Sequence, residues 1–548
     1  MTIRPSGSDV ITEGRAVLGI ELGSTRIKTV LIDPYGTTIA SGSHAWENQF
    51  VDRMWTYSLD DVWSGVQDSV ASACADAQER HGACPTTLAA VGVSAMMHGY
   101  LPFGAAGDLL VPFRTWRNTN TERAATQLTE LLEFAIPLRW SIAHLYQAIL
   151  DEEPHVAQVA SITTLAGYVH QQLTGLRVLG VGDASGMFPI DAATKTYDAQ
   201  RLAQFDALVA PRHPDLKLAG LLPTVLSAGE EAGRLTEEGA GLLDPTGRLR
   251  PGAPLCPPEG DAGTGMVGTN AVAPRTGNVS VGTSIFAMAV LERPPQRVHP
   301  EIDLVTTPAG DPVAMVHCNN GASELDAWVG VFREFAAAVG HPIDPDEAFR
   351  ALLHEAISGD ADAGGLLAYN YLSGEPITQV IEGRPMMLRS PGSRLTLGNF
   401  ARAQVYAAFA TLSLGMRVLA EEGVELDVMV AHGGLFRTEG VAQRLLAAAM
   451  GFPVAVGRDA GEGGAWGIAL LASYLGHAEE SDLAGYLATR FANAGTWTAV
   501  EPDPADERGF RTFLERYEAG LPIERAAITY KHDPPSTLVT EGGSRSQQ

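Results

Sequence analysis

The feature that most constrains this chain is a short hairpin that occurs twice. Leu18 to Asp33 reads LGIELGSTRIKTVLID: two alternating apolar strands meet at a Gly-Ser-Thr turn, with one carboxylate, Glu21, just before it. Asn278 to Phe286, NVSVGTSIF, runs a β-branched strand into Gly282-Thr283-Ser284 and then into more apolar residues. A glycine lets backbone approach an anion without a Cβ in the way, and the neighbouring hydroxyls add donors to the turn amides. Taken singly, each is equally an ordinary surface hairpin. The recurrence points to two similarly built domains, each offering a phosphate loop to one ligand between them.

A chain of 548 residues exceeds one core, so two large domains with an accessory tail are expected. No run of eighteen apolar residues occurs, and the first residues lack a hydrophobic leader segment, so no membrane partner and a cytoplasmic location are expected. The net charge of -26 argues against a nucleic-acid partner. Cys74, Cys84, Cys256 and Cys318 form no C-x-x-C pair, which speaks against a zinc site or a disulfide framework and fits a reducing compartment. With only Lys28, Lys195, Lys217 and Lys531 available, a polyphosphate must be held by amides, hydroxyls, a metal and arginine.

Periodicity places strands at 16–21, 29–33 and 38–43, a helix at 58–79, and a buried strand at 88–94. That strand ends in Met97-His98-Gly99, where open α/β sheets keep their ligand chemistry. Helices follow near 121–133, 142–151 and 162–173. The Pro- and Gly-rich stretch 250–268 marks a domain boundary. Beyond it come strands at 278–281 and 313–317, helices at 324–338, 346–357 and 399–422, strand 427–431, helix 438–450, strand 453–456 and helix 463–475. The segment 481–530 reads as helical, and the tail beyond Asp533 as disordered.

Asp261, in EGDAGTG, is the strongest catalytic candidate: a lone carboxylate at a Gly-rich helix start, able to accept a hydroxyl proton. The competing role is a helix N-cap. Gly263, Gly265 and Gly268 also spell G-x-G-x-x-G, but the prolines before them exclude the strand a dinucleotide fold requires. No G-x-x-x-x-G-K-[ST] occurs. His432-Gly433-Gly434-Leu435-Phe436-Arg437, after a strand and before a helix, can admit a flat nucleoside while the helix N-terminus faces phosphate, with a plain tight turn as the alternative. Gly461-Glu462-Gly463-Gly464 opens another helix that can meet the same ligand. His98 can grip a polar substrate, and Trp116 and Arg117 can add a ring face and donors; a structural histidine, a packed tryptophan and a solvated arginine are equally ordinary.

In order, these motifs resemble the FGGY carbohydrate kinase family over about residues 17–472. GLLAYNYLSGEP is similar to the family's Leu-rich segment, and AHGGLFRTEGVAQRLLAAAMGFPV to its adenosine segment. The resemblance implies an α/β chain of two actin-like, ribonuclease H-like ATPase domains with a deep interdomain cleft: 15–270 N-terminal, 271–476 C-terminal, then a helical extension over 477–532. It implies ATP and Mg²⁺ as cofactors and a small-molecule sugar as partner, with the oligomeric state open, a homodimer included. Asp261 corresponds to the general base and, with Glu21, to the metal-facing carboxylates. Gly23, Ser24, Thr25, Lys28, Gly282, Thr283, Ser284, Gly433, Gly434 and Arg437 fall to ATP, and Met97, His98, Gly99, Trp116 and Arg117, with Asp261, to the sugar.

The M-H-G motif resembles the xylulokinase type of that family, and the resemblance favours D-xylulose, with L-ribulose next; a sensor without catalysis and a chaperone-type ATPase are the other classes the fold allows. Four departures bear on the sugar: Glu21 where aspartate is usual, Ala262 after the base, Leu435 for a small residue, and His144 for a lysine.

Overall fold

The computed structural model describes residues 4–457, 463–494 and 497–529. Gly461, Glu462, Lys531 and the tail beyond Asp533 lie outside them. Among the described residues the chain forms two compact units, one drawn from 1–317 and 415–503, the other from 318–414 and 504–548.

The first unit holds two sheets that repeat one plan. In the first, Val17–Leu22 pairs antiparallel with Arg26–Ile32, which pairs with Thr38–Ala45; on its other side Val17–Leu22 runs parallel to Ala90–Ala95, followed by Glu259–Gly260. In the second, Thr276–Val281 pairs antiparallel with Ile285–Val290, next to Pro312–Cys318 and Asp303–Thr306. Its other side runs parallel to Val428–His432, then Val454–Val456 and Thr498–Val500. Each sheet thus opens with a hairpin whose first strand also pairs in parallel with a later strand. The sequence echo is an echo of topology.

Val17–Leu22 is buried at five of six positions because helices cover both faces, which explains its near-continuous apolar run. The helix Gly463–Tyr474 lies so close that a Cβ on Gly19 would stand 2.2 Å from the Ala465 carbonyl oxygen. Leu59–His81 is started by Ser58, whose hydroxyl accepts from the Asp61 amide, and is stopped by Gly82 in the left-handed conformation. That reversal brings Cys84 back to Cys74, with Cα atoms 5.2 Å apart, and the two are disulfide-bonded. The reading of the cysteine spacing as speaking against disulfides is therefore corrected for this pair: spacing in sequence does not show that a helix end folds back. Cys256 and Cys318 are free and buried.

The segment expected to be wholly helical after residue 481 contains helices Leu483–Ala494 and Pro504–Ala527, but also the strand Thr498–Val500, which closes the edge of the second sheet. The helix expected over 438–450 starts later, at Val441.

The second unit is built on helices Ser323–Ala338 and Pro345–Ser358, whose Val329, Ala348 and Leu352 pack together, with a two-stranded sheet Leu367–Tyr369 and Met386–Leu388. The SGE segment belongs here. Glu375 accepts from the amides of Asn319 and Asn320 and from the Asn320 side chain. Burial pushes its carboxyl up to about 7. Among the described residues one helix, Leu397–Glu421, is long and apolar enough to cross a membrane, and 78% of that window is buried inside the protein.

Candidate active site

The first hairpin turn, Gly23-Ser24-Thr25, is braced from beneath. The Trp46 indole donates to the Gly23 carbonyl at 2.7 Å, the Tyr57 hydroxyl donates to the Ser24 carbonyl at 2.6 Å, and the two rings stack at 4.2 Å. With its carbonyls fixed below, the turn leaves Ser24 and Thr25 exposed. These two aromatic braces carry no motif, so they were not visible in the sequence.

Glu21 stands opposite Lys28 in the hairpin register. Its Oε2 accepts the Ala465 amide at 3.2 Å, at the start of the helix Gly463–Tyr474. Burial raises its pKa, the nearby Lys28 charge lowers it, and the Asp261 charge raises it further. Two carboxylates and one ammonium therefore share a half-buried neighbourhood. Gly464 makes room for it: a Cβ there would lie 2.6 Å from Glu21 Oε1 and 2.8 Å from Thr264 Oγ1. Thr264 in turn meets the Ser94 hydroxyl at 3.1 Å, tying the strand Ala90–Ala95 to the helix Asp261–Gly268.

Asp261 is the first residue of that helix, and Gly260 occupies the N-cap, so the simple N-cap role does not hold. Its Oδ1 accepts the amides of Met97 and Ala262, each at 3.0 Å. The parallel register of Gly260 with Ala95 produces this meeting, because both strands end at the same level. Burial raises the Asp261 pKa against those amides, so the group is an ionisable acceptor with a more basic carboxylate than usual. Ala262 contributes its amide alone.

His98 has φ 73 and Gly99 φ 93. A left-handed histidine is strained backbone, held here by its surroundings. Its Nδ1 lies 3.3 Å from the Gly186 carbonyl, which assigns the ring proton to Nδ1 and leaves Nε2 as an acceptor. Burial keeps the ring neutral, with the Arg139 guanidinium nearby acting in the same direction. The Arg117 guanidinium lies over the Trp55 ring at 4.5 Å and the Trp116 ring at 5.8 Å, while Asn118 fastens the loop by bonding the Trp55 amide and carbonyl, each at 2.8 Å. His144 is fully buried, faces Tyr100 at 6.3 Å, and burial holds it neutral with its pKa pushed down to about 3.

The second hairpin places Gly282 and Thr283 at the surface and Ser284 half-buried, with the Gly282 amide donating to the Ser284 carbonyl at 3.0 Å. Ser280 is paired with His432, so Gly433 arrives beside this turn. Its φ is 113 and a Cβ would fall 2.2 Å from the Val281 carbonyl oxygen, so glycine is required on both counts. Gly434 begins a 3-10 turn, Gly434–Arg437, and not an α-helix; the following helix opens at Val441, so no helix N-terminus stands directly behind Gly433-Gly434. Arg437 is exposed, whereas Leu435 is buried at 2% exposure and points into the core. That departure is one of packing.

Two hairpins with open hydroxyl turns, on sheets whose central strands follow the same order, and a half-buried acidic pair behind one of them define an actin-like α/β protein suited to holding phosphate. Residues 16–246 match the N-terminal domain, and 277–476 the C-terminal domain, of the FGGY family of carbohydrate kinases. The chain belongs to that family. It is 23% identical over 300 residues to the xylulose kinase of Escherichia coli (strain K12), the match covering 52% of this chain and 56% of that protein, about half the length of this curated relative. A xyloylose kinase from Brucella ovis superposes with a TM-score of 0.75 at 19% identity, covering 93% of this chain and 99% of that one. A gluconate kinase from Lactobacillus acidophilus gives a TM-score of 0.75 at 18% identity, covering 93% and 98%. At these identities the structures establish the fold.

Proposed function

We propose that the protein is an ATP-dependent kinase that phosphorylates a hydroxyl of a ketopentose, D-xylulose first and L-ribulose as the alternative. The observation that carries this reading is Asp261. Its Oδ1 is pinned by the Met97 and Ala262 amides, and it is electrostatically coupled to Glu21 behind the first hairpin. It can take the proton of the attacking hydroxyl as the new O–P bond forms and the bond from the γ-phosphorus to the bridging oxygen breaks, leaving ADP. Met97-His98-Gly99, Trp116 and Arg117 face the sugar in this reading. Gly23, Ser24, Thr25, Lys28, Gly282, Thr283 and Ser284 take the phosphates, and Gly433, Gly434 and Arg437 the nucleoside end. The name of the curated relative supports the ketopentose; a gluconate kinase shares the fold, so the name alone does not choose the sugar.

Among the described residues no three acidic, histidine or cysteine side chains cluster as a protein-built metal cage. Glu21 and Asp261 supply two carboxylates, which fits Mg²⁺ held chiefly by nucleotide phosphates and water. The ion would neutralise phosphate charge. The chain's own part is to hold the acceptor hydroxyl near Asp261 and exclude water from it.

Coupled ADP release with a panel of pentuloses, hexuloses, polyols, glycerol and gluconate tests the proposal. Turnover stimulated most by D-xylulose or L-ribulose is expected. A lack of stimulation by any acceptor would overturn it and favour a sugar sensor on the same fold.

A further inference from the structure

Beside the Met97-His98-Gly99 loop lies a polar group that no motif announces. The Arg139 guanidinium pairs with the Asp303 carboxylate, and the two side chains keep 18% and 14% of their surface open. The backbone fixes the pair against the loop. The Arg139 carbonyl accepts the Gly99 amide at 3.2 Å, and the Ser141 hydroxyl donates to the Gly99 carbonyl at 2.5 Å. Asp303 begins the strand Asp303–Thr306, whose last residue donates its amide to Ser185 Oγ at 3.1 Å and its hydroxyl to the Val181 carbonyl at 3.0 Å. Ser185 adjoins Gly186, the residue that orients His98. The Arg139 charge also bears on His317, a neutral ring lying flat on Phe286 at 4.3 Å. The Arg139 charge therefore reaches two rings, His98 and His317, that burial keeps neutral, while its own side chain and that of Asp303 stay partly open.

We propose that the Arg139–Asp303 pair is the specificity-determining element of the acceptor pocket and selects an uncharged polyhydroxy acceptor over a sugar acid. This rests on the sugar-kinase reading above. A diol satisfies both partners, since a hydroxyl donates to the carboxylate while its neighbour accepts from the guanidinium. A sugar-acid carboxylate would meet Asp303 as a like charge and would have to compete for an arginine already paired.

The test measures steady-state kinetics with D-xylulose, L-ribulose and D-gluconate for the wild type, Asp303→Asn and Arg139→Lys, with ADP binding by calorimetry. The wild type is expected to favour a ketose over gluconate by about 100-fold or more in kcat/KM. Asp303→Asn should raise the ketose KM by roughly tenfold and narrow the ketose-to-gluconate ratio by a similar factor, because it releases Arg139 for a carboxylate. ADP affinity should stay within about twofold, because the pair lies on the acceptor side. Arg139→Lys, which keeps the charge but loses the fork, should raise the ketose KM with a smaller change in that ratio. Wild-type preference for gluconate, or unchanged KM and ratio in both variants, would overturn the proposal. Turnover with no acceptor at all would overturn the kinase reading and this inference with it; ketose turnover with indifferent variants would overturn this inference alone. If a variant loses ADP binding, the wild-type ratio decides.

Discussion

The backbone amide of Met97 donates to Oδ1 of Asp261 at 3.0 Å, across 164 residues of chain. One bond therefore joins the loop proposed to hold the sugar to the carboxylate proposed to activate it. The parallel pairing of Gly260 with Ala95 makes the distance possible, so the sheet itself sets the register of the site.

Asp261→Asn keeps the acceptor oxygen for the Met97 and Ala262 amides but removes the base. Acceptor phosphorylation should fall by about 10² to 10⁴-fold in kcat, while ADP binding stays within a few-fold. Stopped or steady-state ADP release, with calorimetry for ADP, checks this. Near-normal turnover would remove Asp261 from the role of base.

Glu21→Gln should raise the Mg²⁺ concentration needed for half-maximal activity by several-fold, because one of the two carboxylates proposed to face the phosphates loses its charge. Gly464→Ala should show the same metal phenotype through geometry, since its Cβ would displace Glu21 Oε1 from 2.6 Å. A metal titration identical to wild type in both variants would refute a cation role for Glu21.

Burial raises the pKa of the Asp261 carboxyl, so the proposed base takes up its proton while most surface carboxylates are still ionised. The acid limb of kcat/KM should accordingly lie above the usual aspartate pKa, with activity falling as pH drops through it. A profile flat down to the ordinary aspartate range would contradict the burial argument.

Asp183 is fully buried, receives the Thr164 hydroxyl at 2.6 Å on Oδ2, and is pushed up to about 7, chiefly by burial. A carboxyl whose folded pKa is raised favours folding while both states are protonated. Its contribution is then lost as pH rises from the unfolded value, near 3.8, through about 7. Asp183→Asn, which mimics the protonated form, should gain stability relative to wild type at pH 8 compared with pH 5, by on the order of 1–3 kcal/mol. Denaturant melts at the two pH values measure it; a difference independent of pH would show that Asp183 is not so raised.

Both hairpins, the buried strand before Met97 and most helices were legible from apolar periodicity, because each has one or two well-defined buried faces. The strand Thr498–Val500 was not, since three residues at a sheet edge carry too little pattern to outweigh the helical sequence around them. Asp261, Glu21 and Gly433 stood out because carboxylates and glycines at strand ends are rare and chemically specific. Trp46, Tyr57 and Gly464 did not. They act by supporting the first turn and by leaving room for Glu21, and such roles appear only when distant segments are brought together. Cys74 and Cys84 show the same limit, as their pairing depends on the left-handed turn at Gly82.

Phosphorus NMR of the full chain with ATP, Mg²⁺ and D-xylulose follows the transferred group itself. Loss of the γ-phosphate signal in step with a new phosphomonoester on the sugar, slowed by about 100-fold or more in Asp261→Asn, is the predicted result. An unchanged ATP spectrum, or release of inorganic phosphate alone with every ketose offered, would contradict phosphoryl transfer to a sugar hydroxyl at this site.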